Sequence, residues 1–153
     1  MQFKNLRGIR EDRDIPGQFS RLIQKYGITP DQLRIEITET AFAENPDLLI
    51  SNTNKLRELG FQVEMDDFGS GYSSLNMLKE AIVDILKIDM KFLDMSDSDT
   101  QKGLTILKSI IDMSNEMNLP IIVEGVETKE QAEFLNKMRV RYAQGYLFYR
   151  PMH

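Results

Sequence analysis

Short apolar runs alternate along this chain with longer stretches whose apolar residues recur every three to four positions, the pattern expected when parallel strands are joined by helical crossovers. Six strands are expected. The first is brief, around Phe3 to Leu6, and the second, Leu33 to Thr38, alternates strictly between apolar and polar residues. The third runs from Phe61 to Asp66, the fourth from Ile85 to Ile88, the fifth from Pro120 to Val123 and the sixth from Tyr142 to Leu147, with Pro151 as its stop. Asp14 and Pro16 open a helix carrying Ile15, Phe19, Leu22, Ile23 and Tyr26 until Gly27 ends it. Asn45-Pro46-Asp47 opens another, with a stripe of Leu49, Ile50, Thr53, Leu56 and Leu59 that ends at Gly60. A short helix follows from Ser73 through Leu78 and a long one from Gln101 to Met117, while Thr128-Lys129-Glu130-Gln131 has the capping-box form that starts a further helix. No repeat, low-complexity tract or linker interrupts this α/β succession, so residues 1–153 read as a single domain.

Chemistry collects where those strands end. Glu36 and Glu39 close the second strand, Asp66 and Asp67 the third, Lys87 and Asp89 the fourth, Glu124 and Glu127 the fifth, and Gln144 the sixth. In parallel α/β sheets and barrels the C-terminal strand ends form the face that bears the site. Taken singly, an acid at a strand end is more often a helix cap or a solvated loop charge. Taken together, five strands directing carboxylates, a lysine and an amide to one face would be costly to assemble without a cation or polar substrate. Alternation puts Glu36 with Arg34 and Thr38, and Asp66 with Glu64 and Gln62, on faces opposite the apolar Val63 and Met65. Asp67 points the other way unless the Phe68-Gly69 turn swings it back.

Composition narrows the chemistry. The chain has 153 residues, a net charge of −5, no cysteine, and one histidine, the terminal His153. A histidine base, a cysteine nucleophile and a histidine-rich zinc site are therefore excluded. The negative charge argues against a DNA or RNA polymer and against an anionic membrane surface as partner, and no apolar run approaches the roughly 20 residues of a membrane span. A reducing cytoplasmic setting is expected. Oxygen donors alone favour Mg²⁺ or Mn²⁺, and two such ions sharing Asp66 would suit in-line attack on a phosphodiester, with Lys87 supplying positive charge. The Gly69-Ser70-Gly71 segment lacks the Gly-Lys-Ser/Thr ending of a phosphate loop and reads as a sharp strand-to-helix turn.

The run Asp66-Asp67-Phe68-Gly69-Ser70-Gly71-Tyr72-Ser73-Ser74-Leu75 closely resembles a signature of the EAL family of cyclic di-GMP phosphodiesterases. Four further stretches match it in order: Leu33 to Thr40, Asp84 to Asp89, Glu124 to Thr128 and Gln144 to Met152. The resemblance implies a TIM-like (β/α)8 barrel, bacterial second-messenger signalling, and Mg²⁺- or Mn²⁺-dependent hydrolysis of cyclic di-GMP to pGpG. It implies Glu36, Asp66 and Asp67 as metal ligands, Lys87 as the lysine that orients or activates water, and Glu124 as general base or ligand at the metal–water centre. Gln144 would complete the pocket near that water, and Glu39 and Glu127 would support the metals and the loop after the Asp-Asp strand. The amide ligand of the family's Asn-x-Ser motif maps to Asn5, with Arg7 where the family has serine.

The family places two further strands upstream, one with a Gln-Pro element and one with the Glu-Ala-Leu motif, and this chain contains neither. An incomplete barrel of about six strands is therefore expected, one carboxylate short. Three readings follow: a phosphodiesterase, a catalytically impaired module acting as cyclic di-GMP receptor or protein-interaction domain, and an inactive half-barrel. Open strand edges predict self-association or a partner chain that completes the barrel.

Overall fold

The computed structural model describes residues 2–3, 14–69, 74–80, 83–90 and 100–150. They fall into two compact units, Met1–Asp84 and Ile85–His153. In the first unit β1 (Gln2–Phe3) pairs with β2 (Arg34–Thr38), and β2 with β3 (Gln62–Asp66), all parallel. Helix α1 (Ile15–Tyr26) connects the first pair; α2 (Glu39–Glu44) and α3 (Pro46–Glu58) connect the second, and α4 (Ser74–Glu80) follows β3. The second unit repeats the scheme. Strands β4 (Ile85–Asp89), β5 (Ile121–Glu124) and β6 (Tyr142–Ala143) are parallel, joined by α5 (Thr100–Glu116) and α6 (Lys129–Lys137). The six expected strands are thus present in an α/β order.

Local chemistry explains where the helices start. The Asp14 carboxylate accepts from the Gly17 N–H at 3.0 Å, and the Asn45 side chain accepts from the Leu48 N–H at 3.2 Å. At α6 the capping box forms as expected: Thr128 Oγ1 accepts from Gln131 N–H, and Gln131 Oε1 accepts from Thr128 N–H.

Four helices end in one and the same lock. In α1 the Ile28 N–H reaches Ile23 O and the Gly27 N–H reaches Gln24 O; α3 repeats this with Phe61 to Leu56 and Gly60 to Arg57. The same pair of bonds closes α5 through Leu119 and Asn118, and α6 through Val140 and Arg139. This is the Schellman arrangement, which needs a left-handed residue followed by an apolar one. Gly27 (φ 63°) and Gly60 (φ 91°) meet the conformational demand without strain, whereas Asn118 (φ 55°) and Arg139 (φ 60°) meet it with side chains attached.

The apolar core sits on one face of the strands, opposite the face that carries Glu36, Glu64, Asp66 and Lys87. In the first unit Ile35, Ile37, Val63 and Met65 are buried beneath the crossover helices, and Phe19 of α1 meets Phe61 edge-on at 6.0 Å. In the second unit Leu86, Ile88, Val123 and Leu107 are buried. Each such side chain contributes about 1.5–3 kcal/mol by leaving water. One polar clasp fixes α3 to the start of β3. Asp84 Oδ1 accepts from Arg57 Nε (3.0 Å) and Nη2 (2.8 Å), while Oδ2 accepts from the Val63 N–H at 2.9 Å.

Three expectations change. Helix α2 follows β2 directly, because Thr38 turns its hydroxyl to the Ala41 N–H, so Glu39 is a first-turn helical residue rather than a strand end. Leu59 falls outside the buried stripe of α3, since the helix stops at Glu58, and Asn52 takes its place among the buried positions. The sixth strand stops at Ala143 instead of reaching Leu147. The Gln144 carbonyl accepts from Val126 N–H and the Leu147 N–H donates to Val126 O, so residues after Ala143 wrap around Val126 as a turn.

Candidate active site

Register brings the candidate residues of the first unit together. Glu36 lies opposite Glu64 and Thr38 opposite Asp66, so the polar faces of β2 and β3 coincide. That face is not solvated: Glu36 is 2% exposed, Glu64 fully buried and Asp66 8% exposed. Arg34, one strand step below Glu36, donates from Nη1 to Glu64 Oε1 at 2.9 Å and supplies a counter-charge at mid-depth. Asp66 is the last residue of β3, so its carboxylate stands at the C-terminal strand end. Asp67 leaves the strand with φ 56° and an exposed side chain, and Gly69 at φ 95° continues the turn. The chain therefore bends at Asp67 itself rather than after it.

The second unit holds a tighter constellation. Lys87 lies opposite Ile122, Asp89 opposite Glu124, and Tyr142 opposite Ile122 on the other side. Two residues up each strand, Glu124 and Gln144 therefore flank one another. The Lys87 side chain, 1% exposed, reaches diagonally so that Nζ sits 2.6 Å from Glu124 Oε1. Gln144 Nε2 donates to the same oxygen. A buried ammonium is tolerated only when paired, and here the partner carboxylate is itself steered by an amide.

The other expected residues are placed as follows. Glu39 is buried in the first turn of α2, where a carboxylate favours the helix dipole. Glu127 is exposed just before α6, and its backbone N–H donates to Gln131 Oε1 at 2.8 Å. Asn5 lies outside the described residues. Two contacts are not legible in the sequence, although Asp89 itself is marked there as a strand-end acid. Glu64 was visible only as a polar residue on the Asp66 face, and its pairing with Arg34 depends on a register the sequence does not state. Asp89 closely approaches Gly125, where a Cβ would come within 2.9 Å of its Oδ1; the glycine of Glu124-Gly125-Val126-Glu127 was the available signal.

The donor set suits a hard divalent cation. Every candidate ligand is an oxygen, and Glu36 and Asp66 are buried on one polar face. Among the described residues no three His, Cys, Asp or Glu side chains converge on one point. Mg²⁺ typically takes one or two carboxylates and completes its shell with waters and substrate phosphates, so two such groups fit it. No helix among the described residues is long and apolar enough to cross a membrane.

Comparison with known proteins places this arrangement. Residues 9–151 match the EAL domain model. Cyclic di-GMP phosphodiesterase NbdA of Pseudomonas aeruginosa is 39% identical over 130 residues, which cover 85% of this chain and 16% of NbdA. The chain thus spans less than a fifth of that relative. The solved PaMucR phosphodiesterase–c-di-GMP complex superposes with a TM-score of 0.80 at 34% identity, covering 89% of this chain and 55% of that one. BlrP1 of Klebsiella pneumoniae, solved with manganese and cyclic di-GMP, gives a TM-score of 0.79 at 32% identity over 88% of this chain and 34% of that one. One family model runs through both units and nearly the whole sequence, and by that measure the chain belongs to the EAL-domain family.

Proposed function

We propose that this chain carries the hydrolytic machinery of a divalent-cation-dependent phosphodiesterase that converts cyclic di-GMP to pGpG. The observation that carries the reading is the buried Lys87 ammonium held against Glu124, with Gln144 on the same carboxylate oxygen. Relatives named as cyclic di-GMP phosphodiesterases support the substrate, and the manganese complex of BlrP1 supports a cation. Glu36 and Asp66 would hold Mg²⁺ or Mn²⁺, with Asp67, Asn5 and substrate phosphate as further ligands. A bound cation would supply Lewis acidity and neutralise phosphate charge.

The protein's own groups do the rest. Glu124, oriented by Lys87 and Gln144, takes a proton from the attacking water, whose oxygen joins phosphorus as the P–O3′ bond breaks; O3′ takes a proton from solvent water, and Glu124 returns its proton to solvent. Lys87 offers a fixed positive charge toward the developing phosphorane, already desolvated and so free of reorganisation at the moment of reaction. Glu39, buried in the first turn of α2, would support the metal ligands of the first unit through its neighbours. Chromatography after incubation with cyclic di-GMP and Mn²⁺ tests the assignment. Turnover to pGpG is expected in the parent chain, with a loss of about 100-fold or more in Lys87→Met. No turnover above an Asp66→Ala control refutes it, and calorimetric binding of cyclic di-GMP without turnover would point to a receptor.

Completion of the barrel belongs to the same proposal. Among the described residues no strand pairs with the outer edge of β6, and a strand from a second copy or a partner chain would add there. Light scattering at micromolar concentration checks self-association; a monodisperse monomer removes it.

A further inference from the structure

A cleft of about 290 Å³ opens in the second unit between the end of α5 and the loop that enters β6. Its walls include Asn115, Asn118, Arg139, Arg141 and Tyr142, and no acidic residue lines it, in a chain whose net charge is −5. The cleft lies at the N-terminal ends of β5 and β6, beside Ile121 and Tyr142. Glu124 stands at the other end of β5 and Gln144 just past the end of β6, about 10 Å and about 7 Å further along at the usual rise per residue. It is therefore separate from the candidate active site.

Three observations bear on the arginines. Among the described residues neither guanidinium makes an ion pair or hydrogen bond. They are not needed as helix caps either, because the last carbonyls of α5 and α6 already accept backbone N–H groups from Leu119, Asn118, Val140 and Arg139. Arg139 moreover occupies the left-handed position that α1 and α3 give to glycine. An arginine there costs folding stability that a glycine would not.

We propose that this cleft is a second, non-catalytic site for a nucleoside monophosphate. Arg139 and Arg141 bind the phosphate, for which paired guanidinium donors are suited. The exposed ring of Tyr142 offers a stacking surface for the base, and the amides of Asn115 and Asn118 offer donors and acceptors to its edge. The volume lies near the lower end of small-molecule pockets, roughly 300–1,000 Å³.

The test uses the full 153-residue chain in EDTA, titrated by calorimetry with AMP and, separately, with adenosine. Saturable AMP binding that adenosine does not match is expected. Arg139→Gly should weaken it about tenfold or more, as should Arg141→Gln. Because glycine suits the backbone at 139, Arg139→Gly should leave the melting temperature unchanged or raise it, which separates lost binding from lost folding. The proposal is overturned by absent saturation, by equal adenosine affinity, by unaltered AMP affinity in both variants, or by a lower melting temperature for Arg139→Gly.

Discussion

Gly145 ties the loop after β6 to the loop after β5, and replacing it with alanine should be among the most damaging single-methyl changes in the chain. A Cβ there would stand 2.2 Å from Val126 O and 2.3 Å from Val126 N, where real contacts essentially never fall below 3.0 Å. Val126 must therefore retreat by at least 0.8 Å, yet it is fully buried and pinned by two hydrogen bonds, one to Gln144 O and one from Leu147 N–H, both 3.0 Å. Losing both costs about 1 kcal/mol each, and stranding one polar group adds about 1 kcal/mol or more. The sum, about 3 kcal/mol, corresponds to a fall of roughly 6–12 °C in melting temperature for a chain of this size. Gly27→Ala is the control. It too has a positive φ, 63° against 156° at Gly145, but nothing lies within 4 Å, so only the backbone cost of about 1–2 kcal/mol applies. Circular-dichroism melts of the two variants decide the matter. Equal losses, or a Gly145→Ala melt within about 2 °C of the parent, would refute the close-approach argument. Gln144 is the adjacent residue, so pGpG formation should fall in the same variant.

Asp84→Ala removes three hydrogen bonds that hold α3 to β3 and should lower stability by about 3 kcal/mol in urea titration; a loss below about 1 kcal/mol would show the clasp to be dispensable. Thr128→Ala should cost about 1 kcal/mol through the lost cap. A backbone hydrogen bond, then the Thr128 hydroxyl, hold the Glu130 carboxyl below the ordinary glutamate value. Its contribution is thus present above the unfolded pKa and lost as pH falls through the depressed folded one, so Glu130→Gln should flatten the acid side of a stability–pH curve, and an unchanged curve would contradict the assignment. Mn²⁺ at about 100 times its dissociation constant should add about 2.7 kcal/mol of stability, reversibly with EDTA. Asp66→Asn should abolish that gain, and an undiminished gain would remove Asp66 from the ligand set.

Much of this architecture can be read from side chains that act locally. Asp14, Asn45 and Thr128 announce helix starts because a short polar side chain captures the N–H three residues on, a contact that needs no tertiary structure. Gly27 and Gly60 announce helix ends for an equally local reason. Asn118 and Arg139 close α5 and α6 in the same way, but neither residue type advertises a left-handed turn, so the equivalence of the four ends is visible only in the backbone. The site divides along the same line. Its residues cluster toward the C-terminal parts of the strands, a trend legible in the sequence, although Glu36 and Lys87 lie mid-strand and Glu39 opens a helix. The diagonal reach of Lys87 to Glu124, and the pairing of Arg34 with Glu64, follow from register between strands far apart in sequence. The sixth strand was read too long for a related reason. Tyr146 and Phe148 favour strands, but Leu147 N–H donates to Val126 O and Phe148 N–H to Gly145 O, so the segment curls into a turn instead of joining a ladder.

The enclosure of Lys87 makes that residue a reporter as well as a candidate participant in catalysis. With 1% of its side chain exposed, its amine is shielded from reductive methylation while β4 and β5 stay paired, whereas lysines such as Lys79, Lys129 and Lys137 lie in the open. Modification at position 87 therefore requires a local opening. Its labelling rate, read peptide by peptide in a mass spectrometer, would measure how often this strand pair separates and whether substrate or cation holds it shut.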